Sequence, residues 1–300
     1  MITFLSGGTG TPKLIRGARQ HLPDEEIAVV GNTAEDVWIS GNFLSPDIDT
    51  LIYLFSGTLD CGTWWGLKGD TFHTHEEIAR LGGDEYVTIG DRDRAFHILR
   101  GDLLRRGMRL TDATAQLCSS LGVKARILPM ADTPVTTLIR SGEREIHFQE
   151  FWVRYRGSLP IDDVTRRWDI PPAATPEVLS ALRSAEAVII GPSNPVTSIL
   201  PILECEGIRE ALMDVPVAAV SPFIGDAPIS GPAGSLMKAM GYRPDSHATW
   251  TLYRDMADFF IQDIHDPVDV PGAIRMDTLM NAPGVDASLA QGILSLVRGA

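Results

Sequence analysis

Seven residues near the start, Gly7-Gly8-Thr9-Gly10-Thr11-Pro12-Lys13, follow directly on a short apolar run. Glycines in such a loop let the backbone approach a phosphate closely and adopt positive φ. Free N–H groups at the start of the next helix favour an anion, and Lys13 adds a point charge. The same residues also make an unliganded tight turn. The spacing matches neither G-x-x-x-x-G-K-[ST] nor G-x-G-x-x-G. A second set is acidic. Asp47 and Asp49 in Ser45-Pro46-Asp47-Ile48-Asp49-Thr50 stand two apart. In an extended loop both carboxylates reach one site, and oxygen-only ligands suit Mg²⁺. Either aspartate also serves as a helix N-cap. Glu35 and Asp36 after Asn32-Thr33-Ala34 read as metal ligands or as a solvated pair. Asn32 reads as a base or ribose contact or as a loop cap. In Gly90-Asp91-Arg92-Asp93-Arg94, Asp91 reads as a helix cap and Asp93 pairs with His97 at i, i+4. His73 and His75 lack a third ligand, so no zinc site is expected. Ser230-Gly231-Pro232-Ala233-Gly234 with Lys238 reads as a second phosphate turn or a plain helix start. Trp64-Trp65 and Phe151-Trp152 read as a stacking surface for a flat ring or as core or subdomain packing, and packing is the expectation.

The elements that must position these residues recur in one pattern. Met1–Leu5, Ile27–Val30, Ala187–Ile190 and Val217–Val220 are apolar runs. Each ends in Gly, Ser, Pro, Asn or Thr before a helical pattern. Continuous apolar strands alternating with helices predict an α/β fold with a parallel sheet covered on both faces. Ligands of such sheets bind beyond the carboxyl ends of the strands, so four distant polar clusters should meet on one edge. Helices are expected over Lys13–Gln20, Arg92–Arg106, Asp112–Leu121, Pro176–Ser184 and Pro232–Met240, with Thr111 and Thr175 as caps. Residues 135–175 break the alternation. Val135–Ile139 and Arg144–Tyr155 predict an antiparallel hairpin, hence an insertion within a single domain of residues 1–300.

Composition narrows the function. Subtracting 39 Asp and Glu from 26 Lys and Arg leaves −13 over 300 residues, with 44% hydrophobic and 22% charged. An acidic chain is a poor binder of nucleic acid or anionic membranes. It must hold an anion by local devices: backbone N–H groups, a few basic residues or a metal ion. Three scattered cysteines predict reduced, semi-buried thiols. Absence of long apolar runs and of a leader pattern predicts a soluble, cytoplasmic protein.

Read together, Ser6–Leu14, Asn32–Asp36, Ser45–Thr50, Gly90–Ala95, Ile127–Met130, Gly191–Pro195 and Ser230–Gly234 resemble the 2-phospho-L-lactate transferases of the CofD type, in order, from residue 1 to Met280. The resemblance implies a Rossmann-like, doubly wound, mostly parallel sheet with an inserted small α+β subdomain, in a homodimer. It implies transfer of a 2-phospholactyl group from lactyl-2-diphospho-5′-guanosine to the deazaflavin Fo, giving F420-0 and GMP with Mg²⁺. By resemblance, Asp49 and Thr88 contact Fo. Gly7, Gly8, Thr9, Gly10, Lys13, Asn32, Ser193 and Asn194 hold the guanosine diphosphate. Asp47, Asp49 and Asp91 are the catalytic candidates, and Asp47, Asp49 and Asp93 the metal candidates. The alternative is a non-catalytic regulator of the same superfamily that binds a nucleotide or nucleotide-sugar. The S-P-D-x-D-T and G-D-R-D-x-A segments separate the two readings, because they go with the deazaflavin transferases. An NAD-dependent dehydrogenase would need the absent G-x-G-x-x-G turn.

Overall fold

The computed structural model describes residues 1–229 and 231–299. Seven parallel strands form the central sheet: β1 (Ile2–Ser6), β2 (Ile27–Gly31), β3 (Arg126–Pro129), β4 (Ala187–Ile190), β5 (Val217–Val220), β6 (Phe259–Asp263) and β7 (Ile274–Met276). Their order is β7-β6-β5-β4-β1-β2-β3, every neighbour parallel. The chain steps outward from β1 to β3, then crosses back to β4 beside β1. This is the doubly wound arrangement, whose crevice opens where the order reverses.

Successive strand residues point to opposite faces. Ile2, Phe4, Ile27 and Val29 enter one core; Leu5, Ala28, Val30 and Val188 enter the other. The first core is roofed by α1 (Gly10–Ala18), α2 (Pro46–Phe55) and the C-terminal helix Val285–Arg298. Helices Pro176–Arg183, Leu200–Leu203 and Ile208–Leu212 cover the second. Thr175 caps the first of these, its hydroxyl accepting from the Val178 N–H at 3.3 Å. Thr111 caps nothing. The helix there is Leu110–Ser120, and Asp132 accepts from the Thr111 N–H at 2.8 Å.

Thr136–Ser141, Arg144–His147 and Asp163–Arg167 form a separate antiparallel sheet with Thr136–Ser141 in the middle. The expected second arm of the hairpin stops at His147 and turns into helix Phe148–Val153. The reason is periodic: Phe148 and Phe151, three apart, both bury in a core with Ile139, Ile146, Val164, Phe223 and Met237.

Two contacts lock the sheet's reversal point. A Cβ on Gly10 would lie 1.9 Å from the Pro192 carbonyl oxygen, and one on Gly191 would lie 2.2 Å from the Thr11 hydroxyl. The loops after β1 and β4 therefore touch backbone to backbone. Gly10→Ala is expected to cost about 1–3 kcal/mol by overpacking. Urea titration checks this; an unchanged midpoint would show that the loops separate freely.

Candidate active site

A cavity of about 630 Å³ opens at that reversal. Gly8, Thr9 and Gly10 line it from the β1 loop. Glu35 follows β2, and Pro46, Asp47 and Thr50 come from the first turns of α2. Ser193, Asn194, Thr197 and Ser198 follow β4. Three of the four expected polar clusters thus meet on one rim. The fourth does not: Ser221 is buried against Ser246, their hydroxyls 2.6 Å apart. From that quarter Gly231 and Pro232 reach the cavity instead; Ser230 lies outside the described residues. The outer wall is Asp60, residues 63–67, Asp70, Phe72, Val87, Thr88, Gly90, Asp93, Phe148, Gln149, Trp152 and Val153.

Asp47 anchors the inner wall. One carboxylate oxygen accepts from the Gly8 N–H at 2.6 Å, where the glycine has φ +58°. The other accepts from Asn32 Nδ2 at 2.8 Å. Asn32 also donates to the Thr197 carbonyl at 3.1 Å and accepts from the Ala34 N–H at 3.0 Å. Every polar atom of Asn32 is spent, so it is a strut behind Asp47 and not part of the cavity lining. Burial pushes the Asp47 carboxyl up, as does the charge of Asp49, against the bonds from Asn32 and Gly8; it reaches about 6. Burial and the charge of Asp47 also raise Glu35 well above the carboxylate range. Ser193 ties the loops together: its hydroxyl sits 2.6 Å from that of Thr11, accepts from the Thr11 N–H at 3.1 Å and donates to the Gly7 carbonyl. Asn194 caps the next helical turn through Val196 N–H at 3.0 Å while lining the cavity.

Several sequence expectations need correction. Asp47 and Asp49 do not share a loop. Pro46 starts α2, so residues two apart leave it on opposite sides. Asp49 turns from the cavity into a buried cluster. Arg100 Nη1 and Nη2 grip it at 2.5 and 2.9 Å, and His97 Nε2 lies 3.0 Å away. Burial pushes Asp49 up, but the Arg100 and His97 charges outweigh it and bring it to about 2. Asp91 also lies off the cavity. It starts α3 (Asp91–Arg105) and accepts from the Thr71 hydroxyl and from the His73 and Thr74 N–H groups, at 2.6, 3.0 and 2.9 Å. Asp70 returns the favour, accepting from the Arg92 and Asp93 N–H groups, both at 3.0 Å. Lys13 points outward to the Trp64 ring, 5.4 Å from its centroid, and lines a separate hollow. Gly7 lies behind the lining, where a Cβ would strike Ser198 at 2.6 Å. Gly8, Thr9, Gly10, Asp47, Thr88, Asp93, Ser193 and Asn194 do line the cavity.

Sequence reasoning passed over most of the outer wall. Trp64, Trp65 and Trp152 line the cavity with Phe72; of the expected core aromatics only Phe151 is fully buried. Cys118 and Cys205 are buried, which pushes both thiols up to about 12, whereas Cys61 is exposed.

The segment bearing Thr88 is braced by Glu85, which accepts from Arg94 Nη1 and Nη2 at 2.8 and 2.7 Å. His75 Nδ1 is 3.0 Å away. Burial raises the Glu85 carboxyl, but bonds from Arg94, Ser40 and His75 carry it down to about 2. A folded-state value below the unfolded one gives stability that is whole above pH 4.5 and fades as pH falls toward 2. Glu85→Gln should lower stability at pH 7 and flatten its loss between pH 5 and 3, read from urea midpoints. Parallel pH curves for the two proteins would exclude this brace.

Strand order and cavity together define the class: a doubly wound α/β protein with its ligand site where the strand order reverses. The chain belongs to the 2-phospho-L-lactate transferase CofD family, whose model matches residues 2–271; it is an enzyme of the transferase class. A 2-phospho-L-lactate transferase of Methanospirillum hungatei JF-1 is 56% identical over 295 residues, covering 98% of this chain and 99% of that one. Those of Methanocorpusculum labreanum and Methanocaldococcus jannaschii are 54% and 42% identical, covering 98% of this chain and 98% and 97% of theirs. Two crystal structures of a UPF0052-family protein from Bacillus halodurans align over 98% of both chains with TM-scores of 0.60 and 0.63. At 15% identity that likeness concerns the fold alone. No helix among the described residues is long and apolar enough to cross a membrane.

Proposed function

We propose that the protein transfers the 2-phospholactyl group of lactyl-2-diphospho-5′-guanosine to the ribityl hydroxyl of the deazaflavin Fo, yielding F420-0 and GMP, with Mg²⁺. Family membership supports the reaction class. One observation supports the cation: Glu35, Asp47, Asp60, Asp70 and Asp93 line the cavity, and no Lys, Arg or His does so among the described residues. Such a wall repels a diphosphate unless a divalent cation lies between.

The donor chemistry fits that cation. Among the described residues, Asp47 and Glu35 are buried carboxylates with no basic partner within ion-pair distance, and the charge of Asp47 raises Glu35. No three His, Cys, Asp or Glu side chains among the described residues form a metal cage. Mg²⁺ needs none, since it uses one or two carboxylates together with substrate phosphates. Asp47 and Glu35 would hold it, where it would neutralise charge developing on the diphosphate. The chain supplies the positioning. Gly8, Thr9, Gly10, Ser193 and Asn194 form the rim for the guanosine diphosphate half. Trp64, Trp65, Phe72 and Trp152 offer flat apolar faces to a tricyclic ring. Holding both substrates in one cavity replaces a bimolecular encounter, the main contribution a protein makes to phosphoryl-type transfer. Assembly as a homodimer rests on the resemblance alone.

The test is a direct assay with Mg²⁺, Fo and the lactyl donor, following GMP by chromatography and the deazaflavin product by mass. Donors derived from phosphoenolpyruvate and phosphoglycerate compete in the same mixture. Equal amounts of GMP and F420-0 are expected. Donor binding without GMP release would favour the regulatory reading.

A further inference from the structure

The five cavity carboxylates differ in what holds them. Asp47 spends both oxygens on the Gly8 and Asn32 donors, and Asp70 spends both on N–H groups at the start of α3. Glu35 takes the amide of Gln149 at 2.7 Å, and Asp60 the N–H of Gly62 at 2.8 Å in an exposed turn. Asp93 alone has one oxygen clamped twice and the other open. Its Oδ1 accepts from the Tyr53 hydroxyl at 2.6 Å and lies 3.1 Å from His97 Nε2. No donor among the described residues reaches Oδ2, and a Cβ added to Gly66, which also lines the cavity, would lie 3.9 Å from it. Yet the side chain is only 3% exposed, and that exposure faces the cavity.

Behind Asp93 the charges are fixed. His97 bridges Asp93 and Asp49, and Arg100 grips Asp49 from the far side. The imidazole is 1% exposed and cannot leave this bridge without stranding a buried charge. A carboxylate with one oxygen immobilised and one free, nine-tenths buried yet open to the cavity, is arranged to receive a proton from a bound hydroxyl.

Building on the transfer reaction above, we propose that Asp93 is the general base that activates the acceptor alcohol, with Tyr53 and His97 as its positioning residues. The acceptor O–H bond breaks and its proton passes to Asp93 Oδ2. The alcohol oxygen forms the new O–P bond with the phosphorus bearing the lactyl group. The P–O bond to the GMP phosphate breaks and its electron pair leaves with GMP. Asp93 then releases its proton to water entering the emptied cavity. Asp47 and Glu35 keep to the donor side.

The experiment compares wild type with Asp93→Asn, which keeps the shape and one acceptor for Tyr53. Single-turnover GMP release should slow about a hundredfold or more. KM for Fo and the calorimetric affinity for GDP should stay within threefold, which also certifies the fold. An Fo analogue whose ribityl hydroxyl is made more acidic by a neighbouring fluorine should narrow the gap, since it needs less help losing its proton. A merely structural role would not produce that narrowing. A rate within threefold of wild type, or a loss confined to KM or GDP affinity, would overturn the assignment while wild-type turnover leaves the transfer reaction standing. If wild type itself releases no GMP, reaction and assignment fall together.

Discussion

Asp47→Asn is expected to slow GMP release two to three orders of magnitude and to raise the Mg²⁺ concentration needed for half-maximal rate. The argument is electrostatic. The carboxylate lies at the first turn of α2 with both oxygens aimed by Gly8 and Asn32. It is 5% exposed, and that exposure is toward the cavity. An amide keeps the volume but carries no charge for a cation and offers one acceptor to two donors. Removing one preorganised charged group from such a site costs on this scale. The fold should survive, as the surrounding packing is untouched. Steady-state rates across a Mg²⁺ series, with melting curves as control, check the claim. Near-normal turnover would remove Asp47 from the site.

Arg100→Leu carries the largest expected effect on stability. The Arg100 side chain is completely buried, and it donates to both Asp49 oxygens and, at 2.9 Å, to the Phe43 carbonyl. Asp49 has the Ser45 N–H at 3.2 Å and His97 besides. Removing the guanidinium leaves a buried carboxylate with the His97 imidazole as its only cation among the described residues. Breaking one side of such a pair costs about 3–5 kcal/mol, a fall in Tm of roughly 5–15 °C. The double variant Asp49→Asn/Arg100→Leu should be less destabilised than the sum of the single changes, because it no longer strands a charge. Strict additivity would mean that the two side chains do not act as a pair.

The sequence made the frame of the site readable but not its walls. Short buried strands ending in glycine-rich bends placed the β1 and β4 loops on one edge, because a parallel sheet leaves no other arrangement for them. The roles of the aspartates were not readable in the same way. Asp47 and Asp49 differ only in the direction they leave α2, which turns on whether the helix starts at Pro46 or later. A proline followed by acidic residues is the mark of such a start, and it separates the cavity residue from the Arg100 partner. Asp91 and Asp93 divide likewise, one turned to Thr71 and the other to Tyr53 and His97. Trp64, Trp65 and Trp152 carry no local sign of their position, since an aromatic beside a cavity and one inside a core obey the same pattern. Their side of the molecule is set by contacts between segments far apart in the chain, such as Arg154 on Asp84, 70 residues away, and by the cavity wall they share.

The interlocked glycines at the strand reversal bear on how this chain can drift. Gly191 faces the side chain of Thr11, so an exchange there is conceivable once residue 11 has shed its side chain. Gly10 faces a peptide carbonyl, which every residue type at 192 would present in the same place. A change of side chain at 192 therefore cannot relieve a change at position 10. In lineages descended from this sequence the two glycines should vary by different rules, one tied to the side chain at 11 and the other held by a peptide carbonyl that no substitution removes.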